Sequence, residues 1–226
     1  MPQSPFDLVI LDCDGVLADS EQISAEVLVA ELARFGVQTD VDYVFRHFVG
    51  KSFPTVVNII RDTMACTLPP DFETRNRTAL MAAFADRLKP VPGVVDVLRD
   101  LKAPFCLATS SSPPRLRRTL ELCGLAAFFG DRTFTASQVA HGKPAPDLFL
   151  LAARDMQADP GRCLVVEDSE PGLLAARAAG MTVWRFTGGS HFPRPAPGLS
   201  GALRDIRSFD NWASFYQMAP ELRKGA

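Results

Sequence analysis

With 226 residues, the chain is long enough for one full core and an inserted subdomain, and too short for two large independent domains. Its 24 Lys+Arg against 26 Asp+Glu give a formal charge of -2, so no basic excess argues for nucleic acid. No stretch approaches the roughly 20 apolar residues that span a bilayer, and Met1-Pro2-Gln3-Ser4-Pro5 lacks the pattern of a leader; with five cysteines and no C-x-x-C pair, a cytoplasmic protein with reduced thiols is expected.

The first element is the continuous apolar run Leu8-Val9-Ile10-Leu11, which reads as a buried strand and leads into Asp12-Cys13-Asp14-Gly15-Val16-Leu17. Strand side chains alternate faces, but a loop leaving the carboxyl end can turn both acids toward the crevice where open α/β sheets bind ligands. Two carboxylates at close range repel, and burying them is costly without a cation or a proton-transfer task. The other reading is an Asx turn that caps the strand, with Gly15 as its left-handed residue. Cys13, with no neighbouring His, is expected to pack as a small hydrophobe.

From Asp19 to about Leu88 the pattern is helical throughout, with start signals at Ser20, Asp40, Ser52 and Asp71 and breaks at Gly36 and Pro69-Pro70. The chain returns through Pro90-Val91-Pro92-Gly93. This predicts a helical cap, residues 18–89, inserted into a core of residues 1–17 and 90–226, packed over the sheet's carboxyl edge and hinged near Val16–Asp19 and Leu88–Pro92. Arg75 and Arg77 read as a solvated helix face, and His47 and His141 as structural.

Further apolar runs at Phe105–Ala108, Cys163–Val166 and Thr182–Phe186 are interleaved with helical patterns at Val94–Leu101, Leu116–Leu122, Leu148–Ala152 and Leu173–Ala179, the second and fourth closed by Gly124 and Gly180. Strands alternating with helices predict an α/β fold, a Rossmann-like parallel sheet covered on both faces. Gly188–Gly201, rich in Gly, Pro and Ser, reads as a surface loop.

Polar residues gather after these runs. Thr109-Ser110-Ser111-Ser112 precedes Pro113-Pro114, where hydroxyls and free amides at a helix start can cradle a phosphate or simply cap the helix. In Gly142-Lys143-Pro144-Ala145-Pro146-Asp147, prolines restrict the chain around a lysine that either neutralises phosphate or stays solvated. Val166 is followed by Glu167-Asp168-Ser169; Ser169 reads as an N-cap, which frees both acids to join Asp12 in a hard-cation site suited to Mg²⁺.

In order, Asp12-x-Asp14-Gly15-x-Leu17-x-Asp19-Ser20, Thr109, Lys143-Pro144 and Glu167-Asp168-Ser169 resemble the four motifs of the haloacid dehalogenase superfamily, and within it the sugar-phosphate phosphatase branch near the β-phosphoglucomutase-like proteins. The resemblance spans about residues 6 to 190. It implies a Mg²⁺-dependent phosphatase of small-molecule phosphate esters, monomeric or homodimeric. Asp12 would be the nucleophile and Asp14 the general acid and base. Thr109 and Lys143 would hold the phosphoryl group, with Ser110 and Ser111 beside it. Asp12, Asp14 through its carbonyl, Glu167 and Asp168 would surround the metal. Asp14 separates phosphoryl transfer from dehalogenation, which has no alkoxide to protonate. Gly50 and Lys51, in Val49-Gly50-Lys51-Ser52-Phe53, match the family's specificity loop. Members that act as mutases carry a histidine near Ser24 and an arginine near Phe53. This chain has neither, so hydrolysis is expected; a phosphosugar mutase and a non-catalytic phosphate-binding regulator are the alternatives.

Overall fold

Strand β1 (Leu8–Leu11) is buried at every position and lies inside a six-stranded parallel sheet of order β3 (Thr133–Thr135), β2 (Phe105–Thr109), β1, β4 (Cys163–Glu167), β5 (Thr182–Phe186) and β6 (Arg207–Phe209). The computed structural model describes residues 4–48 and 53–225. The chain divides into two units, one made of Met1–Asp19 and Lys89–Ala226 and the other of Ser20–Leu88.

The unit Ser20–Leu88 is helical: α1 (Glu21–Ala33), α2 (Val41–His47), α3 (Phe53–Met64) and α4 (Phe72–Arg87). Asp40 starts α2 by accepting the Tyr43 N–H at 2.7 Å, which satisfies one of the helix's orphan donors. Leu28, Leu32, Val44, Phe48, Ile60 and Phe72 form its core. Arg75 and Arg77 are exposed and pair one helical turn back with Asp71 and Glu73, as a solvated face should.

In the larger unit α5 (Val94–Asp100) leads to β2 (Phe105–Thr109), then α6 (Pro113–Leu122), the short α7 (Ala126–Phe129) and β3 (Thr133–Thr135). Next come α8 (Asp147–Asp155), β4 (Cys163–Glu167), α9 (Glu170–Ala178), β5 (Thr182–Phe186), β6 (Arg207–Phe209) and α10 (Phe215–Met218). On one face of the sheet Leu8, Ile10, Cys106, Val165 and Val183 pack against Leu148, Phe149, Ala152 and Leu173 of α8 and α9. An aromatic cluster of Trp184, Phe186, Phe209, Trp212 and Phe215 forms a second packed region. Trp212 Nε1 donates to the Val16 carbonyl at 3.1 Å and so fastens this cluster to the loop after β1.

Apolar continuity predicts four of the six strands; β3 and β6, three residues each at the sheet's edges, carry too little pattern to be read. The two segments that join the units are hydrogen-bonded to each other. Asp19 N–H donates to the Lys89 carbonyl at 3.0 Å and Val91 N–H to the Leu17 carbonyl at 2.8 Å, flanking a bridge between Ala18 and Pro90. All five cysteines are free, and Cys13 is buried. Among the described residues no helix is long and apolar enough to cross a membrane.

Candidate functional site

Parallel strands end at one edge of the sheet, so Asp12 after β1, Thr109 closing β2, and Glu167 and Asp168 at the end of β4 arrive there together. Lys143 joins them from the connection before α8. Its Nζ lies 2.6 Å from Asp12 Oδ1, 2.7 Å from Glu167 Oε1 and 3.2 Å from the Ala108 carbonyl, and it sits over the Phe149 ring at 4.9 Å. Its side chain is only 4% exposed, which decides against a solvated loop lysine. Burial works against the ammonium, yet the charges of Asp12 and Glu167 outweigh it, and the pKa stands above that of an ordinary lysine.

Asp12, Glu167 and Asp168 are all buried, and each offers an oxygen within 4.8 Å of the others. Burial pushes the Asp12 carboxyl well above the usual carboxylate range; Lys143 pulls it back, and Glu167 and Asp168 push it up again. Three buried acids crowd around the Lys143 ammonium, with the Arg185 charge acting on Asp168, and an oxygen-only donor set suits a hard divalent cation. The residues therefore fit a metal of that class.

Local structure fixes these groups. Glu167 Oε2 accepts the Ser169 N–H at 2.6 Å and its hydroxyl at 3.0 Å, while Ser169 Oγ caps α9 by accepting the Gly172 N–H at 3.3 Å. Gly15 has a φ of +76°, and a Cβ there would overlap the Asp168 carboxylate, so the turn after Asp14 tolerates no side chain.

Asp14 stands apart from the acidic cluster. Ser111 Oγ donates to its Oδ2 at 2.6 Å and Arg115 Nη2 to its Oδ1 at 2.9 Å. Thr109 is buried and its Oγ1 accepts the Ser111 N–H at 3.1 Å, which shapes the turn into α6; Ser110 is exposed. Gly50 and Lys51 lie outside the described residues. Burial raises the Cys13 thiol well above its ordinary range, as befits packing and not nucleophilic attack.

Two residues escape a reading from sequence. Arg115 sits three positions past Ser112, the N-cap position of α6, in a stretch whose hydroxyls and prolines already account for a helix start. His191 belongs to Gly188–Gly201, which is not merely a surface loop: its Nε2 lies 3.1 Å from Asp168 Oδ2, with the side chain 8% exposed. The missed signal was the same as elsewhere, a polar residue shortly after an apolar strand, here β5.

Comparison with known proteins identifies the family. Residues 6–180 match the model of the haloacid dehalogenase-like hydrolase family. The 6-phosphogluconate phosphatase of Escherichia coli (strain K12) is 28% identical over 189 residues, covering 83% of this chain and 86% of that protein. The fructose-1-phosphate phosphatase of the same organism is 32% identical over 176 residues, covering 76% and 92%. A crystal structure of a HAD family hydrolase from Deinococcus radiodurans R1, with bound phosphate and sodium, superposes with a TM-score of 0.79 at 32% identity over 99% of this chain and 100% of that one. The chain belongs to the haloacid dehalogenase-like hydrolases.

Proposed function

We propose that this protein is a Mg²⁺-dependent phosphatase that hydrolyses small sugar phosphates through a phosphorylated Asp12. One observation carries the reading: Asp12, Lys143, Glu167 and Asp168 meet in a buried cluster at the sheet edge where Thr109 also ends its strand. The two bacterial relatives, named for phosphatase activity on a sugar-acid phosphate and a hexose phosphate, support this substrate class.

Asp12 attacks phosphorus in line and the alcohol departs, leaving an acyl phosphate on Asp12. Asp14, which must first exchange its Arg115 ion pair for a proton, gives that proton to the departing oxygen, then takes one from the water that cleaves the acyl phosphate, so both residues return to their starting state. Lys143 and Thr109 hold the phosphoryl oxygens, assisted by Ser110 and Ser111 at the start of α6. Like charges a few ångströms apart in a poorly screened site oppose the attack by roughly several kcal/mol. Bound Mg²⁺ would supply charge compensation against that repulsion, held by Asp12, Glu167, Asp168 and the Asp14 carbonyl.

Substrate choice is assigned to the helical unit acting as the cap, with Gly50 and Lys51 as its substrate-binding residues. Hydrolysis is favoured over phosphoryl mutation because Ser24 and Phe53 stand where the mutases carry a histidine and an arginine; Ser24 donates its hydroxyl to the Ser20 carbonyl at 2.8 Å and Phe53 stacks on Phe72.

The test is phosphate release from p-nitrophenyl phosphate and from a panel of sugar phosphates, with Mg²⁺ and with chelator, by wild type and Asp12→Asn. Mg²⁺-dependent turnover that falls by roughly three orders of magnitude or more in Asp12→Asn is expected. Wild-type protein that is inert across the panel favours the phosphate-binding regulator instead.

A further inference from the structure

The segment after β5 is fastened on both sides of His191. Before it, Ser190 donates both its N–H and its hydroxyl to Asp19 Oδ1, at 2.9 and 2.8 Å. After it, Phe192 lies against the His191 ring with centroids 4.1 Å apart, and the guanidinium of Arg185 sits 4.9 Å over the Phe192 ring. The same arginine donates Nη1 to the Pro197 carbonyl at 2.6 Å. A buried arginine near the end of β5 is costly to keep; it contacts the segment that carries the histidine, and its charge also acts on Asp168. A Cβ at Gly15 would strike His191 Cε1 as well as Asp168, so the loop after Asp14 also confines the ring.

These contacts hold His191 Nε2 at 3.1 Å from Asp168 Oδ2. An ionised carboxylate only accepts, so the shared hydrogen sits on Nε2, and the neutral tautomer protonated there suffices. His191 is not among the residues whose ligand atoms cluster with Asp12, Glu167 and Asp168.

We propose that His191 is a positioning residue that orients the Asp168 carboxylate for metal binding. The inference rests on Asp168 being a metal ligand, as argued above. A carboxylate on a rotatable Cα–Cβ–Cγ linkage loses affinity when it must be ordered at the moment of binding, and an outer hydrogen bond removes that cost.

The experiment is calorimetric titration of Mg²⁺ into wild type, His191→Phe, His191→Gln and Asp168→Ala, with the thermal midpoint of each in chelator. His191→Phe keeps a ring against Phe192 but removes the donor, and weakens Mg²⁺ binding about 10-fold while its metal-free midpoint stays near that of wild type. His191→Gln keeps an N–H donor and recovers most of the affinity. Wild-type affinity in His191→Phe overturns the positioning role alone. Equal losses in His191→Phe and His191→Gln, tracking a lowered metal-free midpoint, overturn it in favour of loop packing. Wild-type protein that binds no Mg²⁺ overturns both this role and the metal reading beneath it.

Discussion

Lys143 Nζ lies 2.6 Å from Asp12 Oδ1 although 131 residues separate the two in sequence. The ammonium is as buried as the acids around it, so it serves as their internal counter-charge and not as a surface lysine. Lys143→Ala leaves Asp12, Glu167 and Asp168 together without it. Removing one partner of a buried ion pair costs about 3–5 kcal/mol, so the metal-free variant should unfold at clearly lower urea concentration than wild type. Mg²⁺ should raise the thermal midpoint of Lys143→Ala more than that of wild type, because a cation then replaces the missing charge. A variant as stable as wild type in chelator would show that the lysine carries no such role.

Gly172, like Gly15, is a position at which a side chain cannot be admitted. It lies in the first turn of α9, and a Cβ there would overlap the Glu167 carboxylate, itself fixed by Lys143 and Ser169. Gly172→Ala is expected to cost about 1–3 kcal/mol through overpacking. It should also lower kcat/KM at least about tenfold by displacing Glu167, with urea unfolding and steady-state kinetics as the measurements. Stability lost with kinetics unchanged would separate Glu167 from the reaction.

The buried thiols predict the alkaline limit of the fold. Burial pushes Cys163 up to about 11 and Cys123 up to about 12, and raises Cys13 and Cys106 as well. Below the ordinary thiol pKa of about 8.5, folded and unfolded chains both hold these protons and the stabilisation is complete. Above it the unfolded chain ionises first, so stability falls from about pH 9 through the folded-state values. Iodoacetamide at pH 8 should modify Cys66 alone in the native protein and all five cysteines after unfolding, read by mass spectrometry. Rapid native labelling of Cys13 would contradict its packing role.

Lys51→Ala tests the assignment of selectivity to the helical unit. The order of kcat/KM across a sugar-phosphate panel should change, while turnover of p-nitrophenyl phosphate, which carries no sugar, stays within about threefold of wild type. An unchanged order would move selectivity away from this loop.

Most of the catalytic edge was legible because strands in a parallel sheet are apolar on both faces and end abruptly in polar residues, as at Leu11–Asp12 and Val166–Glu167. The same rule should have exposed His191 after Phe186. The glycines and prolines around it masked the signal, since composition alone cannot distinguish a loop that is nailed down by Arg185 and Asp19 from one that is solvated. Arg115 was hidden for a different reason: on α6 it follows a capping motif that already explained the local sequence, and only the turn of the helix brings it to Asp14. The edge strands β3 and β6 owe their conformation to neighbours more than to their own three residues.

The hydrogen bond from Asp19 to Lys89 brings the two ends of the helical insertion side by side. An insertion whose entry and exit touch is a module in the strict topological sense. Splicing a tight turn between those two residues should yield a core that still folds, and other segments could be grafted at the same joint without threading the sheet anew.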